Sequence, residues 1–287
     1  MKTESLRVLR QKTVARILKS RPLTKIQIEK ELQALAKCTC ARKLHPNPLR
    51  GQHILRFDLM TCLDEKKQFA LETVFEKELA KEAMAAGDRK WANQIPIWSG
   101  ICGSGDRKTN IDIGYSPEGG KFALYELKVL HSDHPLYAII ELFTYALGYL
   151  IVRELAEKRK DEDRDLMRIR NHDGGLLKAT SILCSVIAPE KFYAKAPSGC
   201  NKLTGSELET LIGCAKEVLT DVAKERLGHA CLQIEFSLLA MDMDAPPQLR
   251  SATDRDNWII SLKSKSHLRT LRCLVLNAKP IFETKRK

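Results

Sequence analysis

The sequence predicts an α/β fold: a mixed central sheet flanked by helices, with a basic helical extension at the N-terminus. Three observations predict it. Segments with the 3.6-residue apolar period of helices alternate with short strand-like runs. Two of those runs flank Ser116-Pro117-Glu118-Gly119-Gly120, a turn by composition, which marks an antiparallel hairpin. The segment Phe122 to Leu130 is apolar on both faces, as an interior strand covered on two sides must be.

Each element follows from its own pattern. Leu6 to Leu18 carries Leu6, Leu9, Val14, Ile17 and Leu18 mostly on one stripe, with basic residues off it. Thr24 and Gln27 make a capping box after Pro22, opening a second helix on Ile26, Ile28, Leu32 and Leu35. These two basic amphipathic helices read either as half of a helix-turn-helix or as an arm packed on the body. Cys38 to Arg50, with two prolines, reads as a linker. Strands are expected near His53 to Leu59, Gln94 to Trp98, Asn110 to Tyr115 and Lys121 to Leu130. A helix from about Lys67 to Ala86 precedes the hairpin, with Leu71, Val74, Phe75 and Leu79 on its buried stripe. A long helix, Leu136 to about Arg164, follows it, and then a buried strand, Ala179 to Ala188. Ser206 and Glu209 suggest a second capping box for a helix running to Gly228, before a strand at Ala230 to Ala240 and an apolar segment at Leu271 to Leu276. The expected division is a basic helical arm or small domain over 1–56, a core over 57–245 and a basic extension over 246–287.

Composition narrows the class. Of 287 residues, 44% are hydrophobic and 29% charged, which excludes a disordered chain, a collagen-like chain and a disulfide-dense miniprotein. Pro135 to Val152 is the most apolar stretch, but Glu141 interrupts it, so no membrane span is expected. The basic N-terminus lacks the apolar segment of a secretory signal. Nine cysteines without framework spacing read as free thiols in a reducing cytoplasm. The net charge of +12 is uneven: +11 over residues 1–56, +7 over 263–287 and −6 between them. Basic ends around a slightly acidic centre point to a polyanionic partner. Arg7, Arg10, Arg16 and Lys19 in the first helix, with Arg107 and Lys108 in a glycine-containing loop, are the candidates to meet nucleic-acid phosphates.

The chemistry gathers on one strand. Period two puts Phe122, Leu124, Glu126, Lys128 and Leu130 on one face and Ala123, Tyr125, Leu127 and Val129 on the other. A carboxylate and an ammonium on an otherwise apolar face must be paired, or must coordinate something. Across the hairpin, Asp112 sits between Ile111 and Ile113. The segments Asn110-Ile111-Asp112-Ile113-Gly114 and Tyr125-Glu126-Leu127-Lys128 resemble the paired motifs of the PD-(D/E)XK nuclease superfamily, with Ile111 where that pattern has Pro. The resemblance spans roughly residues 67–188 and implies a restriction-endonuclease-like sheet in which Asp112 and Glu126 hold a metal and Lys128 is catalytic. It also implies a glutamate from the preceding helix, with Glu72 the first choice and Glu76 the alternative. RecB-like branches carry Gln-x-x-x-Tyr on the following helix; here Glu141 and Tyr145 hold those places, and both are accessory candidates along with His131.

Two hard carboxylate ligands suit Mg²⁺ or Mn²⁺, with positions left for water and phosphate. Such an ion polarises the phosphate, while Lys128 orients water and stabilises developing charge. The expected activity is metal-dependent hydrolysis of DNA phosphodiester bonds, with RNA the other candidate substrate. The candidate assemblies are a homodimer or a larger nucleic-acid-processing complex. A non-catalytic nucleic-acid-binding or scaffold protein on a degenerate nuclease fold is the alternative. Cys38, Cys40, His45 and His53 match no common zinc spacing. Gly100, Gly103 and Gly105 precede no Gly-Lys-Ser/Thr, so no triphosphate loop is expected.

Overall fold

The strand that carries Glu126 lies inside a six-stranded sheet, as its two apolar faces require. A computed structural model describes residues 4–41, 57, 59–62, 70–97, 110–129, 134–158, 175–196, 202–228, 232–243, 249–266 and 269–282. Its strands β1 (Trp91–Pro96), β2 (Asn110–Tyr115), β3 (Lys121–Leu127), β4 (Ser181–Pro189), β5 (Gln233–Met241) and β6 (Lys279–Pro280) neighbour one another in chain order. The first three are antiparallel, β3, β4 and β5 run parallel, and β6 closes the edge antiparallel. The expected hairpin is present: Ile113 pairs with Tyr125 and Tyr115 with Ala123. Gly119 and Gly120 turn it with φ of 55° and 77°, conformations that only glycine adopts without strain.

Helix α4 (Pro135–Lys158) joins β3 to β4, and α6 (Gly205–Leu227) joins β4 to β5. Successive parallel strands advance in one direction, so right-handed crossovers put both helices on the same face. On that face α1 (Leu6–Lys19) packs against α4, and α2 (Lys25–Cys40) against α6. The opposite face is covered by α3 (Leu71–Ala85), α7 (Ala252–Ser264) and α8 (Leu271–Leu276); the short α5 (Glu190–Tyr193) follows β4. The sheet thereby divides two apolar clusters. Phe122 and Leu124 belong to the first, and Ala123, Tyr125, Leu127 and Val129 to the second, as period two along β3 dictates.

The N-terminal helices are part of the first cluster. Leu6, Ile17, Ile28 and Leu32 are at most 1% exposed and pack with α4 and α6. Of the two readings of this segment, the packed one describes what the helices do. Ile26 alone of the expected apolar positions faces solvent, at 77% exposure. Helix α4 is long and apolar enough over Pro135–Glu154 to cross a membrane, but 89% of that window is buried within the fold.

Several boundaries differ from expectation. The Thr24–Gln27 capping box is present, but the second box is Thr204–Glu207, not Ser206–Glu209. Leu203 before the cap and Leu208 in the first turn are both buried, and this hydrophobic staple sets the start two residues earlier. β1 begins at Trp91, because Trp91, Ala92 and Asn93 complete the register with β2; Trp98 lies outside the described residues. The strand expected near His53 to Leu59 falls mostly outside them too. Helix α7 has only Trp258, Ile259 and Leu262 as buried positions, too sparse a pattern to announce a helix.

Removing the side chain of Leu32, which is fully buried, is expected to cost about 2–5 kcal/mol in Leu32→Ala. Urea unfolding should show one transition moved to lower concentration, since α1 and α2 share the core of the sheet. A separate early transition, with the main one unmoved, would instead make them an independent unit.

Candidate active site

The hairpin and the parallel ladder together place three ionisable side chains at the end of β3. Asp112 Oδ2 accepts the backbone N–H of Leu127 at 2.8 Å, which ties the aspartate to the residue between Glu126 and Lys128. β3 ends at Leu127 rather than Leu130, yet Lys128 N still donates to Ile187 O at 3.0 Å and stays in line with the ladder. The Lys128 ammonium is buried, with Nζ 2.8 Å from Glu126 Oε1 and 3.0 Å from Glu141 Oε2. The other Glu141 oxygen accepts Arg10 Nη1 at 2.7 Å. Arg10 Nε donates to Thr144 Oγ1 at 2.7 Å, and its guanidinium lies 4.8 Å from the Tyr145 ring centre. Tyr145 donates to Glu141 Oε1 at 3.3 Å. Glu126, Lys128, Glu141 and Arg10 form a chain of alternating charge that joins β3 to α4 and α4 to α1.

Helix α3 reaches the same place from the opposite face of the sheet. Glu72 Oε1 accepts the Val129 N–H at 3.3 Å. Glu76, one turn on, accepts Gln94 Nε2, and Gln94 Oε1 accepts Asn110 Nδ2 at 3.3 Å. Both glutamates therefore border the site, and both act electrostatically on Asp112, Glu76 more strongly. Gln94 falls opposite Asp112 in the register, between the pairs Asn93–Ile113 and Ile95–Ile111. Its φ of 53° is left-handed, a strained conformation for glutamine within a strand.

The electrostatics divide the carboxyl groups into two kinds. Burial, reinforced by Glu76, holds the Asp112 carboxyl well above its ordinary range, although the residue remains half-buried. Burial and the nearby Asp112 do the same to Glu126. Glu76 is pushed up to about 8 by burial, against the opposing hydrogen bond from Gln94. Burial acts to raise Glu141 as well, but Lys128 and Arg10 outweigh it and its pKa is lowered. Burial opposes the charge on Lys128, yet Glu126, Glu141 and Asp112 prevail and raise its pKa well above the lysine norm. Lys128 is thus a fixed cation rather than a base.

One oxygen has no role in this network. Glu126 Oε2 is buried without a hydrogen-bond partner among the described residues, while Oε1 is held by Lys128. A buried, unpartnered carboxylate oxygen beside a second carboxyl repelled by it fits a hard cation. Asp112 and Glu126 are the two side chains that would hold one. Among the described residues no group of three or more His, Cys, Asp or Glu side chains is placed to hold a metal, so the remaining positions would fall to water and phosphate. Glu126, Lys128 and Glu141 border a cleft of about 630 Å³, lined on one side by Arg7, Gln11 and Ala15 of α1 and on the other by His134 and Tyr137.

The other expected contacts separate. Arg10, read as a nucleic-acid contact, is 3% exposed and taken up by Glu141 and Thr144. Its place on the apolar stripe, four residues from both Leu6 and Val14, is the signal that marks it as inward-facing. Arg16 is exposed and pairs with Glu31 at 2.5 Å; Arg7 and Lys19 are exposed. His131, Arg107 and Lys108 lie outside the described residues. No family model, curated protein or solved structure matches this chain.

A carboxyl whose folded pKa is raised binds its proton more tightly in the native state, so stability falls as pH rises from the unfolded value towards the folded one. For Glu76 that window runs from its ordinary 4.5 to about 8. Glu76→Gln, which stays neutral, is therefore expected to flatten the decline in stability between those pH values, read from urea midpoints across the range. A decline as steep as wild type's would show that Glu76 ionises freely.

Proposed function

We propose that this chain is a metal-dependent nuclease that hydrolyses phosphodiester bonds of DNA, on a restriction-endonuclease-like version of its mixed sheet. The observation that carries the reading is Glu126, which borders a cleft: one oxygen is held by a buried lysine and the other is unpartnered, while Asp112 bonds the backbone of the next residue, Leu127. Mg²⁺ or Mn²⁺, when bound, supplies a Lewis acid for the phosphate and a lowered pKa for the attacking water. The chain's residues do the rest. Asp112 and Glu126 would hold the cation, with Glu72 and Glu76 of α3 bordering the site. Lys128, fixed by Glu126 and Glu141, donates hydrogen bonds to the attacking water or to a phosphate oxygen and stabilises negative charge as it develops. Glu141 takes the place of the helix glutamine in RecB-like branches and serves as the lysine's second anchor. Arg7 and Lys19 offer positive charge to the DNA backbone.

A non-catalytic nucleic-acid-binding protein on the same fold is the second reading. The observation that favours it is that two carboxylates already satisfy Lys128. Cleavage separates the two. Linear, circular and single-stranded DNA incubated with Mg²⁺ or Mn²⁺ should be cut by the wild type. Asp112→Asn, Glu126→Gln and Lys128→Ala should each lower the rate at least about 10²–10³-fold, the scale of losing one charge-stabilising group. Calorimetry should show Mn²⁺ binding that Asp112→Ala loses. Near-wild-type cleavage by Glu126→Gln would remove the metal assignment, and no cleavage of any substrate would favour the binding reading.

A further inference from the structure

We propose that the cleft between α1 and the start of α4 takes a single nucleic-acid strand rather than a duplex, with Arg7 and Gln11 on one wall and Tyr137 on the other. This rests on the nuclease reading and adds its substrate class. Arg7, Gln11 and Ala15 recur every four residues, so they form one stripe of α1 beside the buried stripe of Leu6, Arg10 and Ile17. Arg10 fastens α1 to α4 through Glu141 and Thr144, which makes this wall a fixed part of the site. Tyr137, half-buried, stands across the cleft.

Depth and size decide the strand state. Glu126 and Lys128 are 3% and 6% exposed, so a phosphate must enter the cleft to meet them. The cleft, about 630 Å³, has room for a nucleotide or two. A duplex keeps its bases paired and stacked on one another, so it cannot offer Tyr137 a base without unpairing. A single strand can. A cationic wall facing an aromatic ring is also the pairing that single-strand sites use, charge along the backbone and stacking for the base.

The test measures binding by the full chain in EDTA, so that cleavage plays no part. The probes are a short oligothymidine strand, an oligouridine strand and a blunt duplex of the same length. The wild type is expected to bind a strand at least about tenfold more tightly than the duplex, and the oligouridine arm shows whether the sugar matters. Tyr137→Ala should weaken strand binding by about 5- to 150-fold, the range for loss of one stacking platform. Arg7→Ala should lower the slope of log affinity against log salt by about 0.7. Ala15→Glu, at an exposed position that leaves the core untouched, should weaken strand binding by adding an anion to the wall. Lys224→Ala, on α6 and outside the cleft residues, should change nothing. Equal or tighter duplex binding, or strand binding unmoved by all three cleft variants with unchanged melting, overturns the proposal. Cleavage by the wild type alongside such unmoved variants would reject the strand cleft and keep the nuclease. Strand binding with the expected variant effects, but no cleavage in Mg²⁺ or Mn²⁺, would keep the cleft and reject hydrolysis.

Discussion

A buried ammonium governs this structure. Lys128 sits at the end of an interior strand where water is nearly absent, and taking an isolated charge into such a place costs several kcal/mol. Glu126 and Glu141 answer that charge. The second carboxylate then needs its own cation, which Arg10 supplies from a helix in another part of the chain. The chain is open at both ends: Arg10 turns to the neutral Thr144 hydroxyl, and Glu126 ends in the unpartnered oxygen. Buried ion pairs contribute little net stability compared with apolar packing of the same volume. A chain of three of them at one cleft is better understood as the cost of holding a lysine and a carboxylate in fixed positions.

The sheet explains how so many groups arrive at one point. Its faces are separately packed, and α1 and α4 lie on one while α3 lies on the other. The end of β3 is where residues from both layers come within reach. Val129 receives Glu72 from one side, and Lys128 receives Glu141 from the other. The helices that enclose the core thus also deliver charge to its margin, and the strained Gln94 lies level with Asp112 in the register.

Much of this was legible from residue order alone. The Glu126-Leu127-Lys128 triplet stood out because its neighbours on both faces are apolar, and local period two is enough to see that. The hairpin followed from its turn residues, and Glu141 and Tyr145 from their place on the next helix. What could not be read depends on distance. Whether Glu72 or Glu76 borders the site turns on how α3 lies over the sheet, and the answer is that both do. The left-handed φ of Gln94 has no mark in composition. Arg10 was misread because positive charge on a basic helix suggests solvent, although its position on the apolar stripe argued otherwise. Charge counting treated the first residues as one electrostatic object, whereas the fold spends Arg10 on the interior and leaves Arg7 at the cleft.

The pairing of Arg10 with Glu141 spans 131 residues of sequence, and it has a bearing on how the protein is made. Contacts of such separation form late, because the intervening chain must first lose the freedom of a long loop. During synthesis α1 leaves the ribosome well before the strand and helix it serves. Until α4 has followed and docked, Lys128 lacks its second anchor and the cleft lacks a wall.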